Sequence, residues 1–261
     1  MKLLLFSLAL AGPLAATAQT APPAFTSTCR DVSGEGSQAR FCETRDLTMA
    51  APAGQPLTID GSQNGGIAVK GWDGPDVRIR ATIQAWGGSQ EQAQTQAHNV
   101  KVTAAGTTLR ASGGGRTSVS FEVFVPRRTA LALTTLNGGI SLSGLQGTVS
   151  FRTQNGGVSL ADLGGQVTGK TTNGGLSIRL SGRQWEGAGL DVSTSNGGIS
   201  WHLPADYSAQ FFTSTSGGSI NTTLPTSKPQ GRYREVRATL GAGGHPVKAV
   251  TDNGGITIEQ G

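Results

Sequence analysis

Apolar and polar residues alternate in short stretches along most of the chain, and many stretches follow one turn-like unit, (Ser/Thr)-x-Asn-Gly-Gly-aliphatic. Counting from the asparagine, a Ser or Thr stands two residues before it and an aliphatic residue three after it. The asparagine position holds Asn64, Asn137, Asn155, Asn173, Asn196, Asn253 and, in a degenerate copy, Gly217. The steps from Asn137 to Asn155 and from Asn155 to Asn173 are both 18 residues. Such a constant period predicts a repeat architecture.

The unit predicts a tight turn followed by a short strand. Asn and Gly tolerate positive φ, so Asn-Gly-Gly is expected to reverse the chain without Cβ clashes. One unit buries too little apolar surface alone, so the period predicts stacked coils of two or three strands, a β-solenoid. An antiparallel β-sandwich is the alternative, because Asn-Gly between alternating apolar residues is also a hairpin signal.

Stacking also predicts a role for the repeated polar residues. The Asn and Thr side chains of successive coils are expected to align into ladders that hydrogen-bond along the stack. A flat Thr face that binds ordered water or a crystalline surface is a second hypothesis. The structural role is favoured, because a strand next to a tight turn is rich in Thr in any case.

The stretch at residues 89–125 departs from the repeat. Ser89 is a candidate helix N-cap, and the residues up to His98 are rich in Gln and Ala without Gly or Pro. Alternation resumes after the helix and predicts three more strands. We expect this insertion to lie against the stack rather than to form a separate domain.

The N-terminus predicts export. Lys2 precedes an apolar run at residues 3–14, and Ala16-Thr17-Ala18 fits a small-residue cleavage site. Residues 1–18 are therefore predicted to be a signal peptide, which places the mature chain in the periplasm, at the cell surface or outside the cell. It is predicted to be followed by a lead-in at residues 19–50 and a repeat domain at residues 51–261, with no membrane span.

Cys29 and Cys42 are the only cysteines and lie close together. In an oxidising compartment two such cysteines most simply form a disulfide. Its closed loop would stabilise the fold by about 3 kcal/mol in the loop-entropy model. A metal site would need two further ligands, and no histidine lies in this segment.

Composition and charge narrow the classes of function. Gly accounts for 40 of 261 residues, while hydrophobic residues still make up 36% and are regularly spaced, which favours repeated turns over disorder. The net charge is only +5 and the Arg residues are dispersed, so nucleic-acid binding is not predicted. Residues 164–171 match the P-loop pattern, but Thr171 leads directly into the Asn173 turn. No phosphate-binding helix can follow it, and nucleotide binding is not predicted.

Candidate chemistry is sparse in this sequence. The histidines are isolated, no metal-binding or serine-nucleophile motif occurs, and no cofactor is predicted. Glycoside hydrolysis needs two neighbouring carboxylates, and the candidates do not fall at matching positions of adjacent repeats. These candidates are Asp73, Asp76, Asp162, Asp191 and Asp206. Among the tryptophans, Trp72 and Trp201 occupy repeat positions expected in the core, whereas Trp86 and Trp185 are expected to project outward.

The repeat units, the stretch Leu203-Pro204-Ala205-Asp206-Tyr207 and the closing Asn253-Gly254-Gly255-Ile256 together resemble a bacterial family of envelope domains catalogued as "putative adhesins" of unknown function. The resemblance covers about residues 50–261. It implies a right-handed parallel β-helix and no established catalytic residues.

Two hypotheses of function follow from this sequence. The first is a non-catalytic envelope module that binds another envelope protein or a glycan surface through a regular solenoid face. The second is a carbohydrate-active enzyme, a polysaccharide lyase or hydrolase, on a β-helix. Carboxylates clustered with Arg or Lys on one exposed face would favour the enzyme, and a Ser/Thr/Asn face would favour the module.

Overall fold

A computed structural model describes residues 22–29, 38–224 and 234–261 of the chain. The predicted signal peptide at residues 1–18 lies outside these described residues. The described chain is almost entirely β-structure, and its one helix is not long and apolar enough to cross a bilayer. The strands form two sheets of ten, which enclose one hydrophobic core.

Most strands belong to coils, in which one strand lies in the first sheet and the next strand in the second. We number the coils by their place in the stack. They are coil I (β6, Thr108–Ser112, and β7, Thr117–Pro126), coil II (β2, Leu57–Asp60, and β3, Ile67–Trp72), coil III (β8, Leu131–Asn137, and β9, Ile140–Ser143), coil IV (β10, Thr148–Asn155, and β11, Val158–Ala161), coil V (β12, Gln166–Asn173, and β13, Leu176–Arg179), coil VI (β14, Gly189–Asn196, and β15, Ile199–Leu203), coil VII (β19, Pro246–Asn253, and β20, Ile256–Gln260) and coil VIII (β16, Ala209–Thr215, and β17, Ile220–Thr222).

Neighbouring coils pair in parallel in both sheets. The strands on either side of Asn155, β10 and β11, pair only in parallel with the strands of coils III and V. The predicted β-solenoid is therefore confirmed over the antiparallel sandwich. Alternation explains the strands: Val149 and Phe151 of β10 point into the core, while Ser150 and Arg152 point to solvent.

The remaining elements close the two ends of the stack. At one end, β4 (Asp76–Gly87) and β1 (Ala39–Ala50) extend the second sheet, and β5 (Lys101–Ala105) extends the first, all by antiparallel pairing. Helix α1 (Gln90–His98) packs on β1 and β4, with Ser89 as its N-cap as predicted. At the other end, β18 (Glu235–Leu240) pairs antiparallel with β16. Both ends thus differ from the repeat, as solenoid caps generally do.

The insertion at residues 89–125 is placed differently from the prediction. It was expected to lie against the stack, but its strands β6 and β7 pair in parallel with β2 and β3 and form a coil of the stack. The chain visits the coils in the order II, I, III, IV, V, VI, VIII, VII. The first and last steps of stacking are therefore out of sequence order. The predicted lead-in contributes β1 to the second sheet, and the domain division stays a prediction.

Candidate functional site

The asparagines of the repeat lie in one line along an exposed edge of the stack. From Asn137 onward, the side-chain amide of each asparagine donates a hydrogen bond to the side-chain oxygen of the asparagine in the preceding coil. The bonds run from Asn137 to Asn64 (3.1 Å), Asn155 to Asn137 (2.8 Å), Asn173 to Asn155 (2.8 Å), Asn196 to Asn173 (2.9 Å) and Asn253 to Asn196 (3.0 Å). The predicted Asn ladder is present and ends at coil VIII, where Gly217 occupies the asparagine position and has no side-chain amide.

The first glycine of each unit is required by contact between coils and not by backbone angle. The prediction of positive φ at these turns is wrong, since the Asn, the first Gly and the second Gly of every described unit have no positive φ. A Cβ on Gly156 would lie 2.0 Å from the carbonyl oxygen of Gly138, and one on Gly174 would lie 2.1 Å from that of Gly156. Coils approach so closely here that only a hydrogen atom fits.

The repeated threonines form the inner side of the same contact. Their hydroxyls are buried, and each donates to the carbonyl of the first glycine in the preceding coil. Thr153 bonds Gly138 at 2.9 Å and Thr171 bonds Gly156 at 2.8 Å. The hypothesis of a Thr face for water or a crystalline surface is therefore wrong. The buried hydroxyls satisfy glycine carbonyls that would otherwise lack partners at this junction.

A second row of repeated residues does face solvent, on the outer side of the second sheet. Four residues after the asparagine, successive coils carry Ser141, Ser159, Ser177, Ser200 and Thr257, which are direct partners in neighbouring strands. We call these five residues the serine row. With the second glycines of the units they line a shallow groove of about 860 Å³. At a strand spacing of about 4.8 Å the row is about 19 Å long. The recurring Ser after the aliphatic residue was the sequence signal for it.

An N-terminal segment covers one end of this outer face. We call residues 22–29 the strap. Glu122, which continues the serine row through Ala68, accepts hydrogen bonds of 2.7–3.1 Å from the backbone amides and hydroxyls of Thr26 and Ser27. The Lys70 ammonium lies 2.9 Å from the same carboxylate. The end of the row is thus closed by the chain itself.

The electrostatics of Glu122 follow from this cover. Only 4% of Glu122 is exposed. Burial alone would raise its pKa, but the hydrogen bonds from Ser27, Lys70 and Thr26 outweigh burial and lower the pKa to about 2. Glu122 therefore holds the strap as a carboxylate at neutral pH.

An aromatic ring and a disulfide hold the strap in addition. The ring of Phe25 lies 5.3 Å from that of Phe124 and under the guanidinium groups of Arg80, at 4.7 Å, and Arg78, at 5.5 Å. Cys29 and Cys42 form the predicted disulfide, which ties the strap to β1. The strap is consequently anchored by ionic, aromatic and covalent contacts.

Three of the carboxylates considered from sequence lie beside basic groups rather than together. Asp73 lies 2.7 Å from Arg127, and hydrogen bonding to that guanidinium lowers the pKa of Asp73. Asp191 pairs with Lys248 at 3.3 Å, and Asp206 lies 3.6 Å from Arg183. Asp162 lines a polar cleft at the opposite edge of the coils, and Asp76 begins β4. The structure therefore does not bring these five aspartates to one site.

The histidines and the P-loop match are also dispersed. His98 lies 3.5 Å from Glu43, His202 lies 3.2 Å from Glu259, and His245 lies in the connection before β19. Within the described residues no three His, Cys, Asp or Glu side chains form a possible metal site. The P-loop match is mostly strand β12, with Lys170 on the outer face beside Arg152. The next element is strand β13, and no helix lies between the two strands.

The tryptophans differ from prediction at two positions. Trp185, expected to project outward, is 1% exposed and donates to the carbonyl of Gly165. Trp72, expected in the core, is half-buried and donates to the carbonyl of Asp76. Trp201 lies in the core as predicted, and Trp86 is half-buried beside Arg40. The described tryptophans thus do not form an exposed aromatic platform.

Comparison with known proteins comes from a family model and from solved structures. Three solved structures are similar over 84% of this chain. A "putative cell adhesion protein" from Clostridium sporogenes is 10% identical, is covered over 100% of its chain and has a TM-score of 0.42, and a "putative lipid binding protein" from Parabacteroides distasonis is 10% identical, is covered over 97% and has a TM-score of 0.41. A "putative adhesin" from Bacteroides fragilis is 13% identical, is covered over 97% and has a TM-score of 0.37. No curated protein matches the sequence. The model of the Toastrack DUF4097 domains, whose function is unknown, matches residues 32–259. The chain therefore belongs to the Toastrack DUF4097 family.

Proposed function

We propose that this chain is an exported, non-catalytic envelope protein that binds another envelope protein or a glycan surface through the serine row. The Cys29–Cys42 disulfide supports an extracytoplasmic role, because disulfides persist in oxidising compartments. The predicted signal peptide points the same way. The role is adhesin-like, in the sense that a regular solenoid face makes the contact.

The observation that carries this proposal is the repetition of hydroxyls across five coils. Ser141, Ser159, Ser177, Ser200 and Thr257 face solvent from paired strands whose opposite faces are packed in the core. Short hydroxyl side chains on a rigid sheet lose little conformational entropy on binding. They both donate and accept hydrogen bonds, which suits an extended partner with repeated polar groups.

The charged groups of the same outer face support binding over catalysis. Glu122, Lys70 and Arg80 are the kind of cluster that the enzyme hypothesis requires, but the strap occupies Glu122 and contacts the other two. A general acid or base must reach the substrate within hydrogen-bond distance. Here the strap occupies the position beside the Glu122 carboxylate that a substrate would need.

Matched double substitutions test the proposal. Ser159→Lys with Ser177→Lys places two ammonium groups on neighbouring strands of the serine row. Ser150→Lys with Thr168→Lys does the same on the same two coils at the opposite outer face. The measurement is binding of purified protein to isolated envelope fractions, together with crosslinking and mass spectrometry in cells.

We expect the serine-row variant to bind at least about tenfold more weakly, because two like charges must be desolvated in the contact. The opposite-face variant should bind like the unchanged protein. Equal binding by both variants would exclude the serine row as the contact. Release of reducing or unsaturated ends from envelope polysaccharide would favour the enzyme instead.

A further inference from the structure

The last coil of the chain lies between two coils that precede it in sequence. Coil VII, formed by β19 and β20, pairs with β14 and β15 of coil VI on one side and with β16 and β17 of coil VIII on the other. Coil VIII is already followed by its cap, β18, when the chain returns. Residues 246–261 therefore enter a slot whose two walls are built from earlier residues.

The coil VI wall of this slot recognises the repeat unit. Asn253 donates to the side-chain oxygen of Asn196 at 3.0 Å, and Thr251 donates to the carbonyl of Gly197 at 2.8 Å. A Cβ on Gly254 would lie 2.2 Å from that same carbonyl. The wall thus accepts a strand with Thr, Asn and Gly at fixed spacing.

The coil VIII wall contacts the same unit on its opposite side. Thr215 donates to the carbonyl of Gly254 at 2.8 Å. A Cβ on Gly218 would lie 2.1 Å from that carbonyl. Together the two walls specify the chemistry of the occupant, a parallel strand that carries Thr-x-Asn-Gly-Gly-Ile.

The two walls also contact each other directly. The rings of Trp201 in coil VI and Phe211 in coil VIII lie 4.9 Å apart, and the Trp201 indole donates to the hydroxyl of Thr213 at 3.3 Å. Among the described strands, by contrast, the sheet hydrogen bonds of coil VIII to the rest of the stack all pass through coil VII. The contacts of Trp201 with Phe211 and Thr213 can therefore keep the two walls of the slot together before coil VII enters and completes both sheets.

The connection into coil VII permits a change of path. Gly241, Gly243 and Gly244, between β18 and β19, have φ values of 51°, 78° and 127°. Glycine reaches such angles at little cost, so this short segment can redirect the strand that follows it. Domain swapping exchanges an identical element between copies of a chain through such a hinge.

We propose that coil VII is exchangeable between two copies of this chain, each inserting residues 246–261 into the slot of the other to form a reciprocal dimer. The second copy is the occupant that the slot specifies, since it carries the required unit in the same register. The edge strands β1, β5 and β18 are attached by antiparallel pairing, so at these three edges the stack does not present a repeat coil to a second copy. The exchange does not depend on the serine row.

Two full-length variants with different tags test this exchange. Gly254→Val disables the inserted coil but leaves the walls unchanged, whereas Gly218→Val disables one wall but leaves the coil unchanged. A reciprocal dimer of the two variants contains one undamaged coil in one undamaged slot. Two differently tagged Gly254→Val chains contain none and serve as the control pair.

After co-expression, we expect tandem affinity purification to recover a 1:1 complex from the mixed pair at least tenfold above the control pair. Recovery equal to the control contradicts the proposal. Because either variant could fail to fold, unchanged chains with two tags are also refolded together over a range of concentrations. Exchange predicts mixed-tag dimers that increase with concentration and persist on dilution. Monomers at every concentration would overturn the proposal by themselves.

Discussion

The hydroxyl of Thr171 donates a 2.8 Å hydrogen bond to the carbonyl oxygen of Gly156 in the preceding coil. Thr171 is fully buried, and Gly156 is the residue on which no Cβ could be placed beside Gly138. This one contact therefore explains two residues of the repeat unit, the threonine and the first glycine. The threonine satisfies the carbonyl, and the glycine lets the coils come close enough for it to do so.

The two glycines of one unit should respond differently to the same substitution. Gly156→Ala puts a methyl group 2.0 Å from a backbone oxygen, and we expect it to lower the free energy of unfolding by about 1–3 kcal/mol or more. Gly157→Ala puts its methyl 3.6 Å from the carbonyl of Gly175, so its effect should stay within about 1 kcal/mol. Urea unfolding monitored by tryptophan fluorescence measures both. Equal losses would contradict the close-approach explanation.

Removal of a buried hydroxyl should destabilise more than removal of an exposed one. Thr171→Val leaves the Gly156 carbonyl without its partner, with an expected cost of about 1–3 kcal/mol. Thr168→Val, three residues earlier on the outer face of β12, is the control and should change stability by less than about 0.5 kcal/mol. Thermal unfolding of the two variants compares them directly, and similar melting temperatures would argue against a structural role for the hydroxyl.

The Asn ladder predicts an effect that depends on position. Asn173→Ala removes two ladder bonds, one given to Asn155 and one accepted from Asn196, whereas Asn253→Ala removes the single bond that Asn253 gives to Asn196. At about 0.5–1.5 kcal/mol for each bond, the inner substitution should cost roughly twice as much. Denaturant midpoints test the ratio. A larger cost at Asn253 would show that the ladder is not what stabilises this edge.

Acid should loosen the strap through Glu122. The pKa of Glu122 is lowered from 4.5 to about 2, so its contribution is complete above about pH 4.5 and is lost as the pH falls toward 2. We expect Glu122→Gln to reduce the free energy of unfolding at pH 7 by on the order of 2–3 kcal/mol. The unchanged protein and the variant should converge near pH 2. Urea unfolding at several pH values measures this.

Glu259→Gln provides the control for the acid experiment, because the Glu259 side chain is exposed and, within the described residues, forms its ion pair with His202 and not with the strap. It should leave the pH profile between 4.5 and 2 nearly unchanged. Proteolysis within residues 22–29 should become faster in Glu122→Gln at neutral pH. A strap equally protected in both proteins would show that Glu122 does not hold it.

Residue spacing in the repeat unit predicted the solenoid and the Asn ladder, and local sequence predicted the N-cap at Ser89 and the Cys29–Cys42 disulfide. Each depends on spacing or on neighbours close in sequence. The explanation of the glycines was not predictable in this way. Sequence suggests positive φ for Asn-Gly-Gly, whereas the real constraint is the Gly138 carbonyl, which belongs to another coil. The strap was also missed, since Thr26 and Glu122 are 96 residues apart.

The sequence by itself determined the repeating unit and its coils, because alternating burial and tight turns are local consequences of residue type. Only the tertiary structure decided the order of the coils, the insertion of residues 246–261 between coils VI and VIII, and the burial of Thr171 away from solvent. Every unit carries nearly the same Thr, Asn and Gly contacts, so any unit could in principle stack on any other. The caps and the ring contact of Trp201 with Phe211 select one order, and these contacts depend on residues other than the repeated Thr, Asn and Gly.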